Sequence, residues 1–459
     1  MKAFLLQFER ISITPLFEIT GGLLKLSKGV HMKESKYNVC VEYNGQHLIF
    51  NSRTTATADL DKPAMTILDA VRQGTEVEDT DLVKEMKKAG FLVDDCINEL
   101  EQLEVRYNLS KYEKTGLDLI VAPTMSCNFA CPYCYEDPKS GIMSEEIQDK
   151  IISFVEDFAK NGQKIKITWF GGEPLLAKDV IYRMSERVIE ICEKNKVEYD
   201  ANIITNGYLM DEATVLKLKE YGVTEVQITI DGIPATHNQK RKLKNNNGEP
   251  TFDRIVENVI LAKKHGIAPA IRINTDKQIR SELKQLVELM IELGLGEDLY
   301  LGYLEGNTDS CQEYAANCLS YEEFAKTYVN FEKLLLSNNL KPGYPLLHNT
   351  YCGADYLYSF VIEPSGNMYK CWNELGIEKY SIGNIGAYED YEQLIKNPIH
   401  NCTKFLTWSP FSFEKCRECS YLPICAGGCP YNGQRAGEPV CDRWKYVLED
   451  YIKLNCDAS

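Results

Sequence analysis

From Leu117 onward, short apolar runs rich in β-branched residues alternate with longer segments of helical periodicity. The strand candidates are LDLIVAPT, IKITWFGG, NIITNG, EVQITID, IRINTD and DLYLGYL. The helical segments between them include SEEIQDKIISFVEDFAK, VIYRMSERVIEICEKN, DEATVLKLKEYG, FDRIVENVILAKKHG and SELKQLVELMIELG. This alternation specifies βα units on a parallel sheet. Six repeats over about 190 residues predict an α/β fold with a partial (β/α)6 barrel, whose active site belongs at the carboxyl ends of the strands.

A chain of 459 residues is too long for that barrel alone. Ahead of it, YNVCVEYNGQHLIF alternates in period two and reads as a hairpin turning at Asn44-Gly45. Helical patterns follow in PAMTILDAVRQG, in DTDLVKEMKKAG with Gly90 placed to end it, and after Asp94. Residues 1–31, before Met32, fit no domain pattern. Behind the barrel, from about Tyr321, the chain is rich in Cys, Gly and Pro and reads as a metal-stapled lobe. The expected organisation is therefore an extension at 1–31, a small module at 32–112, the barrel at 113–320 and a cysteine-rich lobe at 321–459.

The apolar run in MKAFLLQFER is interrupted by Glu9 and Arg10 before reaching signal-peptide length, and no window approaches a membrane span. The expectation is a cytoplasmic protein with no membrane contact. A formal charge of −16 argues against a nucleic-acid partner, because binding to phosphates is driven by lysine and arginine. Seventeen cysteines in a reducing compartment point to metal rather than to disulfides.

In CNFACPYCYE, directly after the first strand, Cys127, Cys131 and Cys134 stand with three and two residues between them. Three thiolates from one loop can hold three irons of a [4Fe–4S] cube and leave the fourth iron open. Structural zinc would want a fourth nearby ligand, and the adjacent sequence offers none. The spacing, with Tyr133 just before the third cysteine, resembles the radical S-adenosylmethionine superfamily. That resemblance extends along the strand ends. Gly171-Gly172-Glu173-Pro174 matches the GGEP motif, whose carbonyls and acid would receive the methionyl ammonium. Thr205-Asn206-Gly207 resembles the element that binds the methionyl carboxylate or ribose. Gln227, Thr229, Asp231 and Gly232 follow in QITIDG, with His237 and Arg241 downstream. Arg272, in IRINTD with Asn274, could pair with the cofactor carboxylate. The resemblance implies reductive cleavage of S-adenosylmethionine to a 5′-deoxyadenosyl radical that takes a substrate hydrogen, with the protein supplying position and dryness.

The C-terminal lobe carries Cys352, Gly366 and Cys371, then Cys416, Cys419, Cys425 and Cys429, and finally Cys441. These seven cysteines resemble the SPASM domain, which holds two auxiliary [4Fe–4S] clusters, making three in all. By that analogy Cys416, Cys419, Cys425 and Cys441 bind one, and Cys352, Cys371 and Cys429 the other. Zinc is the competing reading of Cys416-x2-Cys419. The second of these clusters lacks an evident fourth ligand: either Cys311, Cys318 or Cys402 closes it, or one iron stays open to a substrate thiolate. Cys40, Cys96, Cys192 and Cys456 read as small buried hydrophobes.

The module at 32–112 resembles the winged-helix modules that bind leader peptides; a packing appendage is the alternative. The whole pattern resembles maturases that form thioether crosslinks from cysteine, of the sactipeptide and ranthipeptide type, acting on ribosomally made precursor peptides. Anaerobic sulfatase-maturating enzymes, which convert Cys or Ser to formylglycine, share both cluster regions but usually place an aspartate where Trp372 follows Cys371. Carbon–carbon crosslinking and epimerisation use similar scaffolds. The implied partners are a leader-bearing precursor peptide and an electron donor such as flavodoxin or ferredoxin. A carrier of clusters that never cleaves the cofactor is the reading from another class, and the strand-end motifs disfavour it.

Overall fold

The computed structural model describes residues 31–457, apart from 137–139, 245–247, 307–308, 388–392, 394–395 and 397–399. The extension assigned to residues 1–31 lies, but for His31, outside them. The chain divides into two compact units. One comprises residues up to Ser110, Pro342–Tyr351 and Ser409 onward; the other comprises Lys111–Lys341 and Cys352–Trp408.

The first unit begins with β1 (Met32–Glu34), β2 (Asn38–Tyr43), β3 (Gln46–Asn51) and β4 (Thr57–Asp59). Asn44 and Gly45 have φ of 49° and 79°, the paired positive values of a two-residue hairpin turn that keeps β2 and β3 in register. Then come α1 (Lys62–Arg72), α2 (Asp81–Lys88), β5 (Leu92–Asp94) and α3 (Glu99–Lys111). Asp61 and Thr80 cap the first two helices by accepting backbone N–H bonds. Gly90, at φ 85°, follows the end of α2. β1 pairs with β5, and β2, β3 and β4 form a separate antiparallel sheet. Leu68, Val83, Phe91 and Ile49 close the module's core.

Within this unit the module packs directly on the C-terminal cysteine segment. Tyr37, Leu103 and Tyr107 share one apolar cluster with Phe411, Cys416 and Leu422. Ser52 donates to the Ser420 carbonyl and Lys36 to the Arg417 carbonyl. The unit's last helix, Trp444–Asp457, returns to β2, where Tyr43 donates to Asp457 at 2.9 Å.

The second unit is built on β6 (Gly116–Val121), β7 (Lys164–Trp169), β8 (Glu198–Thr205), β9 (Val223–Thr229), β10 (Ala268–Thr275) and β11 (Leu299–Tyr303). They lie in sequence order, each parallel to the next. The helices α4 (Glu145–Ala159), α5 (Lys178–Asn195), α6 (Glu212–Glu220), α7 (Pro234–Lys240), α8 (Phe252–Lys264) and α9 (Lys277–Glu292) fill the connections. Leu117, Leu119 and Val121 of β6, with Ile165, Ile167 and Trp169 of β7, meet Val155, Phe158, Ile181 and Met184 from the helices in one continuous core.

Parallel strands covered on both faces by helices read as unbroken apolar runs. Here alternate positions are polar, Asp118, Thr168, Asn202, Gln227, Arg272 and Asn274 among them. The strand face turned away from the helices therefore carries polar side chains beside a smaller apolar cluster that Val361, Ile120 and Ile204 join.

Four elements extend beyond the expected barrel. The helix α10 (Tyr321–Ser337) opens with a complete capping box at Ser320 and Glu323. The sheet then continues on its β6 edge with β12 (Ser359–Ile362), parallel to β6, and with the antiparallel β13 (Asn367–Tyr369) and β14 (Gly383–Asn384). The segment from Tyr321, read in the sequence as a metal-stapled lobe, therefore contains a long helix and supplies three strands to the main sheet.

Candidate functional site at the carboxyl ends of the strands

The cysteine loop leaves β6 and turns under the end of β7. Its cradle is steric. Gly171, at φ 104°, lies so close to the loop that a Cβ would sit 2.4 Å from the Thr124 carbonyl oxygen. At Gly172 a Cβ would sit 2.5 Å from the carbonyl oxygens of both Met125 and Ser126. Only glycine admits this approach. Gly172 N–H donates to Thr124 O at 3.3 Å and Glu173 N–H to Ser126 O at 2.9 Å, so the GGEP turn holds the residue before Cys127 by its backbone.

Glu173 is fully buried, and its carboxylate ties two strand ends together. Oε1 accepts from Leu175 N at 3.0 Å and from Thr205 Oγ1 at 2.6 Å; Oε2 accepts from Asn206 N at 2.7 Å. Burial pushes this carboxyl up, and those three donors oppose the shift. Pro174 opens the short 3-10 turn that follows. Asn206 Nδ2 reaches back to Asn128 Oδ1 at 2.7 Å, joining the end of β8 to the cysteine loop.

On the other side of the loop, the Tyr133 hydroxyl donates to Asp231 and accepts from Arg241 Nη1 at 2.9 Å. Asp231 lies 3.7 Å from Arg241 and accepts from Asn274 N at 2.9 Å. Burial raises the Asp231 carboxyl, while Arg241, Tyr133 and the Asn274 amide pull it back. His237 Nδ1 accepts from Asp231 N at 3.2 Å, and burial, then the Arg241 charge, pushes its ring well below the usual imidazole range. Arg272 donates from Nε to Asn274 Oδ1 at 2.8 Å and from Nη2 to the Tyr303 carbonyl at 3.2 Å, over Gly302, where a Cβ would sit 2.5 Å from its Nε. Gln227 accepts from the Tyr300 hydroxyl at 2.6 Å.

The structure thus gathers Tyr133, Gly171, Gly172, Glu173, Thr205, Asn206, Asp231, His237, Arg241 and Asn274 around the loop bearing Cys127, Cys131 and Cys134. Burial pushes the Cys127 thiol up to about 11 and the Cys134 thiol up to about 12, and it raises Cys131 as well. A bound cation would favour the thiolate form at each of them, against that shift. Among the described residues no group of three or more His, Cys, Asp and Glu side chains converges as a single ion demands. A four-iron cube asks for another arrangement, with thiolates spread one to each iron. Three thiols on one loop, hemmed in by glycines, fit that donor set.

The C-terminal cysteines divide between the units. Cys352 and Cys371 belong to the barrel unit; Cys416, Cys419, Cys425, Cys429 and Cys441 belong to the other. Cys416 lies within electrostatic reach of Cys441 and Cys419, and Cys425 within reach of Cys441. Cys402 sits fully buried in the apolar core with Lys370 as its charged neighbour. Cys318 neighbours Cys311, Asp276 and Lys277 beyond β11. Trp372, directly after Cys371, is 37% exposed and stacks on Phe170 at 5.8 Å, just before the GGEP turn.

Sequence reasoning passed over a second acidic strand end. Asp276 follows IRINT as Asp231 follows QITI; it pairs with buried Lys240, accepts from the Tyr314 hydroxyl and caps α9. The strand-end rule that singled out Asp231 would have found it. Asn128 carried no signal beyond its place between Cys127 and Cys131. Glu136, buried with Oε2 unpartnered and pushed up to about 7 by burial, was equally silent.

Residues 121–302 match the model of the Radical SAM superfamily. A serine-type anaerobic sulfatase-maturating enzyme of Bacteroides thetaiotaomicron is 25% identical over 349 residues, covering 67% of this chain and 80% of that protein. The structure of native anSMEcpe with bound AdoMet and Cp18Cys peptide aligns with a TM-score of 0.58 at 21% identity, over 74% of this chain and 99% of that one. The structure of Streptococcus suis SuiB bound to precursor peptide SuiA aligns with a TM-score of 0.54 at 16% identity, over 90% of this chain and 98% of that one. No helix among the described residues is long and apolar enough to cross a membrane.

Proposed function

We propose that this chain, with its radical SAM domain at residues 121–302, is a peptide-modifying enzyme that forms sulfur-to-carbon thioether crosslinks from cysteine in a ribosomally made precursor. When bound, S-adenosylmethionine and the cluster at Cys127, Cys131 and Cys134 would supply a 5′-deoxyadenosyl radical able to take a substrate hydrogen. The chain's own residues hold the place for it. Gly171 and Gly172 press the loop against the β7 end, while Glu173 and Asn206 fix the β8 end beneath it. Asp231, Arg241 and Tyr133 lock the loop's far side. Arg272 and Gln227 line the strand face beyond, where a planar guanidinium suits a carboxylate. Water is kept from this region by the buried aromatics Phe170 and Tyr369 and by Met125 and Leu375 around them.

The observation that carries the thioether reading is Trp372. Formylglycine formation needs a base to take the proton from the substrate's thiol or hydroxyl, and at this position the chain offers an indole stacked on Phe170. The second reading, formylglycine formation, is favoured by the identity of the relative from Bacteroides thetaiotaomicron. Two auxiliary clusters at the seven C-terminal cysteines and a leader-binding role for residues 32–112 belong to the same proposal.

The test is anaerobic turnover of the reconstituted protein with S-adenosylmethionine, dithionite and a Cys-containing precursor peptide. A product that has lost one pair of hydrogens and one free thiol, with its sulfur retained, is expected. A product that reacts as an aldehyde would replace this reading with the second.

A further inference from the structure

The segment that follows α7 runs antiparallel along the outer edge of the cysteine loop. Ala130 N–H donates to the Lys242 carbonyl at 2.8 Å, Lys244 N–H donates to the Asn128 carbonyl at 2.8 Å, and Phe129 bridges Leu243. Two residues of this basic run turn inward. Arg241 is buried against Tyr133 and Asp231, and Lys240 against Asp276. Lys242 and Lys244 turn outward and are exposed. Among the described residues neither has an ion-pair partner. Beside them, the loop's own outer residues Ala130 and Pro132 are exposed too.

Two unpaired cations therefore flank the exposed edge of the one loop expected to receive an electron, in a chain whose net charge is −16. An acidic protein is repelled by the chain as a whole and attracted at this edge, which selects an orientation as well as a partner. Lys244 is near enough to Cys131 to bias it electrostatically.

We infer that Lys242 and Lys244 form the docking edge for a small acidic one-electron carrier protein, which reduces the loop's cluster directly. The inference rests on the reading of Cys127, Cys131 and Cys134 as cluster ligands. The step is a transfer of one electron: the carrier is oxidised by one, the cluster is reduced by one, and no bond or proton moves.

The experiment uses the holoenzyme with flavodoxin hydroquinone as the carrier and dithionite as the small-molecule control. The double variant Lys242→Glu, Lys244→Glu should slow carrier-driven cluster reduction about tenfold or more at low salt and flatten its dependence on ionic strength. The variant Lys242→Gln, Lys244→Gln should fall between it and the parent chain. Dithionite-driven reduction should be the same in all three. Carbodiimide coupling of the mixed proteins, mapped by mass spectrometry, should join flavodoxin carboxylates to Lys242 or Lys244. Unchanged carrier-driven rates, or cross-links confined to lysines elsewhere, would overturn the docking edge while leaving the cluster assignment intact. Failure of dithionite to reduce any cluster lost in Cys131→Ala would overturn both.

Discussion

At the scale of single residues, the site is organised by buried charges that are already satisfied by the protein. Glu173 shows this best, since its two oxygens accept three hydrogen bonds from Leu175, Thr205 and Asn206. Glu173→Ala should cost roughly 3 kcal/mol of stability, because buried donors left without acceptors carry their full desolvation penalty. Glu173→Gln should fare little better, since an amide nitrogen would face the Asn206 or Leu175 N–H. An unchanged urea midpoint in either variant would refute the staple. His237 offers a pH test with a definite sign. Burial holds its folded-state affinity for protons well below that of the unfolded chain. Below about pH 6.5 the unfolded state therefore binds more protons, and stability falls as pH falls, by up to about 1.4 kcal/mol per unit. Above that range the ring is neutral in both states and contributes no slope. Comparing the parent chain with His237→Gln between pH 8 and 5 should show the variant losing less stability on acidification; parallel curves would contradict it.

At the scale of elements, the close approach of the GGEP turn to the cysteine loop makes a prediction that side-chain chemistry alone would not. Gly172→Ala places a methyl group 2.5 Å from two backbone carbonyl oxygens, so the loop must shift. Iron bound at Cys127, Cys131 and Cys134 should drop sharply while the C-terminal iron is retained, and iron counting in the variant checks this. Such a glycine is legible in sequence only as a motif; the contact it protects is not. The same holds for the strands. All six barrel strands were readable because apolar alternation over five or more residues marks them. β12, β13 and β14 were not, being two to four residues long and specified by the edge of β6 rather than by their own pattern. Asp276 could have been read from its strand end, whereas Tyr314 arrives from a segment with no periodicity and is placed only by tertiary packing.

At the scale of the whole chain, the N-terminal module and the C-terminal cysteine segment share one unit, and this changes how the module can be tested. The hairpin and the capped helices within residues 32–112 were readable because they declare themselves locally. Their packing partner was not readable, since Tyr37, Leu103 and Tyr107 meet Phe411, Cys416 and Leu422 across some three hundred residues or more of sequence. Deleting the module would strip that cluster and also remove the donors to the Arg417 and Ser420 carbonyls, which flank Cys416 and Cys419. Slow turnover by the deletion variant would thus not distinguish loss of leader binding from loss of a cluster. Leu103→Ala separates the two. It should cost about 2–5 kcal/mol through the cavity it leaves. If the proposed three four-iron clusters are present, about twelve irons in all, it should release those assigned to Cys416, Cys419, Cys425 and Cys441 before the others. If the variant is as stable as the parent and keeps all its iron, the module is an independent appendage, and the deletion becomes a clean test of leader recognition.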